Sequence, residues 1–192
     1  MISKSQNKFL KNKMSKKILH IGNHETHSKN AGDTLLFPVT RECFEIFNSN
    51  INWSLAHVWK DFDVKTAKRV NNEFDEILIG GGGMFLRDQD GSDTSKSGWQ
   101  WNCDMEALNE IKIPINIFGV GYNRFRGQQD FEKIFSDHLE LVVRKSNFVG
   151  LRNTGSIKAV QRYLPFDLKD KISLQFCPTT CLWQLKKKYM KK

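Results

Sequence analysis

The sequence is poor in the features that mark most specialised protein classes. Its four cysteines, at positions 43, 103, 177 and 181, form no CxxC pair. The one close spacing, Cys177-Pro178-Thr179-Thr180-Cys181, lacks the second cysteine or histidine cluster that a zinc site needs. A disulfide scaffold and a structural metal are therefore set aside, and reduced thiols are the reading. No stretch approaches the roughly 18 consecutive apolar residues of a spanning helix. The amino end is basic but has no apolar region behind it, which argues against a cleaved secretion signal. Proline-rich linkers, internal repeats and heptads are absent. So are the common nucleotide fingerprints: the first apolar run ends Ile21-Gly22-Asn23-His24 rather than in GxGxxG, and no GK[ST] follows the later glycines.

A basic surplus is also missing from the body of the chain, although the net charge is +9. Residues 1–17 hold six lysines and no acid, and residues 186–192 hold five lysines and no acid. Of 30 basic residues, removing those eleven leaves 19 against 21 acidic ones. Nucleic-acid binding loses its electrostatic basis. Lysine-rich ends of this kind are solvated tails, with weak attraction for an anionic surface as the alternative. The 192 residues suit one domain with a substantial core. The expected division is a basic leader over 1–15, a domain over 16–185 and a basic tail over 186–192. Met14 is a second candidate start. The expected location is the cytoplasm, with at most peripheral contact at the inner face of the membrane.

Six short apolar runs are present, at 17–21, 53–59, 76–79, 114–120, 148–151 and 173–177. Their lengths favour strands. Segments with helical spacing lie between most of them, at 33–47, 104–111 and 131–143, and a further helix is expected to open near Ser156. Alternation of this kind predicts an α/β fold, a Rossmann-like, doubly wound and mainly parallel sheet. The strand ends carry the polar chemistry, and a parallel sheet gathers such ends along one edge.

The most unusual of these ends is Gly80-Gly81-Gly82-Gly83, directly after Glu76-Ile77-Leu78-Ile79. A run without side chains suits close approach to a phosphate, carboxylate or sugar, or a tight turn. Asn30-Ala31-Gly32-Asp33 precedes the first helix, where Asp33 or Gly32 is placed to cap it. His24 and His27 crowd the same loop and, with Asp33, are the acid or base candidates. Gly121 and Asn123 end the fourth strand, followed by Arg124. Arg152 ends the fifth, with Ser156 in the first turn of the helix beyond. Both arginines suit carboxylate or phosphate, or a surface ion pair. Trp99 and Trp101, after the long aperiodic stretch 87–100, can stack on a sugar or anchor the core. A loop of that length is expected to be functional or mobile.

In this order and spacing, Asn30-Ala31-Gly32-Asp33, Asp75 to Gly83, Phe118-Gly119-Val120-Gly121 and Leu151 to Ser156 resemble the polysaccharide pyruvyl transferase family, over roughly residues 16–183. The resemblance implies transfer of a pyruvyl group from phosphoenolpyruvate onto two hydroxyls of a sugar in a surface polysaccharide. No metal or cofactor enters this reading. The implied fold is one Rossmann-like half of a two-domain glycosyltransferase (GT-B-like) architecture. The chain has room for the first half, so the expectation is that a separate chain or a downstream reading frame supplies the second, the sequence then being a truncated form. It also departs from the family after the sixth strand, where Cys177-Pro178-Thr179-Thr180 stands in place of an expected aspartate. Two alternatives stay open, a non-catalytic carbohydrate-binding remnant and a nucleotide-sugar glycosyltransferase-like protein.

Overall fold

The computed structural model describes residues 15–23, 31–87 and 92–184. Six strands form one sheet: β1 Lys16–Gly22, β2 Ile51–His57, β3 Glu76–Phe85, β4 Ile115–Tyr122, β5 Ser146–Leu151 and β6 Ile172–Leu174. Their order is β2-β1-β3-β4-β5-β6, and every neighbouring pair is parallel. All six apolar runs of the sequence are strands, as expected. The central ones are unbroken rows of Ile, Leu and Val because they are covered on both faces. Ile77, Leu78, Ile79, Ile115, Ile117 and Leu151 are fully buried.

Parallel neighbours require crossovers, and helices supply them. They are α1 Ala31–Glu45, α2 Val64–Glu73, α3 Met105–Glu110, α4 Lys133–Lys145 and α5 Thr154–Val160. The chain steps from β1 out to β2 and then returns past β1 to β3. Right-handed crossovers therefore put α1 on one face and the later helices on the other. The packing agrees. Ala67 and Val70 of α2, Leu108 of α3, Phe135 and Leu139 of α4 and Val160 of α5 share the main core cluster, whereas Leu36 and Phe37 of α1 lie outside it. Each large apolar side chain buried in that cluster contributes about 1.5–3 kcal/mol.

Helix α2 was not foreseen. Its apolar stripe is only Val64, Ala67 and Val70, and its clearest marker is a cap, with the Asp63 carboxylate accepting from the Thr66 amide at 2.7 Å. Helix α1 begins at Ala31, so Gly32 and Asp33 sit in its first turn rather than at the cap.

Two expectations about connections are corrected. The glycine run does not end β3 but lies within it, with Gly80 paired to Phe118 and Gly82 to Val120 of β4. On the other side, pairing with β1 stops at Ile79. Segment 92–103 is mainly a piece of core rather than a free loop. Ser97, Trp99, Trp101 and Cys103 are buried, and the Ser97 hydroxyl donates to the Trp101 carbonyl at 2.6 Å.

Candidate functional site

The reversal of strand order at β1/β3 opens a crevice beyond the strand ends, the place where open α/β sheets hold ligands. Here β3 continues past Ile79 without its β1 neighbour, so one edge of the glycine segment is left open toward that crevice. A cavity of about 490 Å³ occupies the position. Gly81, Gly82 and Gly83 of β3 line it together with Asn23, Asn123 and Arg152, the residues that directly follow β1, β4 and β5. Its α1 wall consists of Gly32, Leu36 and Phe37. A size of this order encloses a small-molecule ligand.

The glycines are there for space. A Cβ on Gly121 would lie 2.0 Å from the Arg152 Nε, and one on Gly83 would lie 1.7 Å from the Asn123 Nδ2. Arg152 thus lies over the β4 backbone and Asn123 over the β3 backbone, each on a site that any side chain would occupy. The two then join, with Arg152 Nη2 donating to Asn123 Oδ1 at 2.6 Å. The Arg152 amide is held by the Val120 carbonyl at 2.9 Å.

Arg152 differs from the other guanidinium groups around it. Arg69, Arg87, Arg124 and Arg144 each pair with a carboxylate; among the described residues Arg41, Arg126, Arg152 and Arg162 make no ion pair, and of these four only Arg152 lines the cavity. Its charge is left for something in the cavity. A half-buried guanidinium beside open strand backbone is suited to a carboxylate or phosphate.

The sequence expectations divide at this site. Gly32, Gly81, Gly82, Gly83, Asn123 and Arg152 line the one cavity, with Gly121 directly beneath the guanidinium. Gly80 does not line it, and its carbonyl is bonded to the buried His20 Nε2. Arg124 is turned outward, where it pairs with Asp130 and donates from Nε to the Gln128 carbonyl at 3.0 Å. It is a surface ion pair, not a cavity cation. Ser156 is buried away from the cavity, and its hydroxyl accepts from the Tyr122 amide at 3.0 Å. That bond ties α5 to the end of β4.

Trp99 and Trp101 belong to the core. They are 0% and 1% exposed, packed edge-on against each other and against His138. Neither presents a face to a sugar. The Trp99 indole N–H donates to His138 Nδ1 at 3.0 Å, and burial pushes the His138 imidazole down to about 4. His24, His27 and Asn30 lie outside the described residues, as does the side chain of Asp33.

Trp59 and Gln100, which the sequence does not mark as site residues, also line the cavity. Trp59 was read as the last residue of a strand, but β2 ends at His57, so Trp59 stands at the sheet edge like the other polar strand ends. Gln100 closes the aperiodic stretch 87–100. It is 3% exposed, its Nε2 donates to the Leu86 carbonyl at 2.9 Å, and its Oε1 accepts from the Trp59 indole at 2.6 Å.

The four cysteines are free thiols, and among the described residues no cluster of His, Cys, Asp or Glu could hold a metal. Among the same residues no helix is long and apolar enough to cross a membrane. Comparison with curated proteins gives no match. Comparison with solved structures gives none either. The family model described as polysaccharide pyruvyl transferase matches residues 3–191, wider than the 16–183 over which the motifs lie. The match spans nearly the whole chain, which therefore belongs to the polysaccharide pyruvyl transferase family.

Proposed function

We propose that this protein transfers a pyruvyl group from phosphoenolpyruvate to a sugar of a surface polysaccharide, with the donor held by Arg152 and the Gly81–Gly83 backbone. The observation that carries the reading is the unpaired guanidinium of Arg152, folded over Gly121 into the cavity that the glycine strand lines. Phosphoenolpyruvate brings a carboxylate and a phosphate, and a cation beside backbone donors recognises both.

The reaction sets clear demands. The donor's methylene carbon takes a proton and becomes a methyl group, leaving positive charge at the central carbon. Two sugar hydroxyls add there in turn, the C–O bond to phosphate breaks, and the two hydroxyl protons are balanced by the new methyl C–H and the released phosphate. One group must give a proton to carbon and another must take one from oxygen. We assign these roles to His24 and His27, which fall between β1 and α1 in the chain, and to Asp33 in the first turn of α1. Arg152 stabilises the departing phosphate.

The reading includes a second Rossmann-like wall on another chain, facing the open side of the cavity. Phe125 lines the cavity and is 61% exposed, a side chain that such a wall would cover. The place of action is the cytoplasm, with any membrane contact peripheral and made through the lysine-rich ends.

The test is phosphate release from phosphoenolpyruvate in the presence of a panel of glycosides, with and without Arg152→Ala. Release that depends on both sugar and Arg152 supports the proposal. Glycoside binding without release points to a carbohydrate-binding protein, and stabilisation by UDP-sugars but not by phosphoenolpyruvate points to nucleotide-sugar chemistry.

A further inference from the structure

The cavity holds more than its anion end requires. Arg152 reaches its head group over Gly121 of β4, whereas Trp59 follows β2. In the order β2-β1-β3-β4, those two strands are three intervals apart, roughly 14 Å at the usual strand spacing. A ten-atom donor seated on the guanidinium leaves the Trp59 end of the 490 Å³ cavity unfilled.

That end holds a partly exposed indole on a rigid mount. The Trp59 N–H donates to Gln100 Oε1 at 2.6 Å, and the Gln100 amide is itself anchored to the Leu86 carbonyl and to the Ser92 hydroxyl, at 2.9 and 3.2 Å. The Trp59 main chain is held at both polar atoms. Its amide donates to His57 Nδ1 at 3.2 Å, and its carbonyl accepts from Asn102 Nδ2 at 3.1 Å. The His57 ring meets the indole edge-on, with centroids 5.1 Å apart. The difference from Trp99 and Trp101 is exposure: those two are fully buried, whereas Trp59 lines the cavity. A ring held in one orientation at a cavity wall, with its polar edge already bonded, offers a flat apolar surface and loses little freedom on binding.

We infer that the Trp59 end of the cavity is a pyranose subsite, in which the C–H face of the acceptor sugar lies against the indole and its hydroxyl edge turns toward Arg152. Gln100 is a positioning residue that fixes the plane of the ring. The inference rests on the pyruvyl-transfer reading for the identity of the sugar as acceptor, but not for its binding.

The test measures two affinities separately, that of methyl glycopyranosides of galactose, glucose, mannose and N-acetylglucosamine, and that of phosphoenolpyruvate. Trp59→Ala is expected to weaken glycoside binding about tenfold while phosphoenolpyruvate affinity stays within about twofold. Trp59→Phe, which keeps an aromatic face, is expected to restore most of the glycoside affinity. Wild-type protein labelled with 5-fluorotryptophan gives a readout that requires no variant to fold. Glycoside should move the fluorine resonance of Trp59 and leave those of Trp99 and Trp101 in place. Unchanged glycoside affinity in a folded Trp59→Ala protein, or no glycoside-induced shift at Trp59, overturns the subsite even if turnover is observed. Glycoside binding at Trp59 with no affinity for phosphoenolpyruvate supports the subsite and rejects the transfer reading.

Discussion

Gly121→Ala isolates the step from backbone spacing to ligand binding. The φ angle of Gly121 is not in the left-handed region, so alanine is compatible with the backbone and the effect is purely one of space. The new Cβ would lie 2.0 Å from the Arg152 Nε and 2.4 Å from its Cζ. Ordinary contact is about 3.5 Å, so the guanidinium must retreat by roughly 1.5 Å. A retreat of that size stretches the 2.6 Å bond from Arg152 to Asn123 beyond hydrogen-bond range. It also removes the head group from its place over the cavity. A hydrogen bond to a charged group contributes about 1.5–3 kcal/mol, so loss of one such bond to a bound anion weakens it about 10- to 150-fold. Folding stability should fall by only about 1 kcal/mol, at the low end for overpacking, because a flexible side chain can yield.

Calorimetric titration with phosphoenolpyruvate reads the first quantity and the urea midpoint reads the second. Gly127→Ala is the control. Gly127 has a φ of +90° with nothing within 4 Å of its added Cβ, so that variant should lose stability through backbone strain and keep its affinity. Phosphoenolpyruvate binding unchanged in folded Gly121→Ala would refute the placement of the anion under Arg152.

Gly83→Ala should act on the same clamp, since its Cβ would fall 1.7 Å from the Asn123 Nδ2; combined with Gly121→Ala, calorimetry should show losses in affinity that are clearly less than additive. Ser156→Ala leaves the Tyr122 amide without its 3.0 Å acceptor, and should lower the urea midpoint by the equivalent of about 1–3 kcal/mol with phosphoenolpyruvate affinity unaltered. His138 makes stability depend on pH. Its imidazole is held neutral down to about 4 by burial, whereas an unfolded histidine titrates near 6.5, so the unfolded chain takes up the proton first as the pH falls. The stabilisation is complete above pH 6.5 and is lost progressively toward pH 4, by about 3 kcal/mol in all; denaturant titrations across that range should show the loss, and His138→Gln should flatten it.

The layout of the sheet was legible in the sequence because its central strands are covered on both faces and read as unbroken apolar runs. Helix α2 was not, since a helix with Val64, Ala67 and Val70 as its whole apolar stripe gives little periodic signal. The glycine run announced the site but not its mechanics. A strand end was expected, and β3 instead continues through Gly83 with pairing on one side only. The aromatics show the same limit. For Trp99 and Trp101 both stacking on a sugar and anchoring the core were open; the Ser97 hydroxyl helps hold that segment in the core, and the indole at the cavity is Trp59. Whether an aromatic faces ligand or core depends on contacts between residues distant in the chain, such as Trp59 with Gln100, and no local pattern encodes them. Arg152 and Arg124 carried the same two readings on paper, an anion ligand or a surface ion pair. A nearby carboxylate, Asp130, neutralises one and not the other.

The central claim is that the Gly81–Gly83 backbone and the Arg152 guanidinium bind one anion between them. Nitrogen-15 NMR of the folded protein titrated with phosphoenolpyruvate tests it directly. The account predicts saturable shifts of the Gly81, Gly82 and Gly83 amides together with the Arg152 Nε–H, all following one binding curve. Shifts confined to other residues, or glycine and arginine signals that titrate with different affinities, would contradict it.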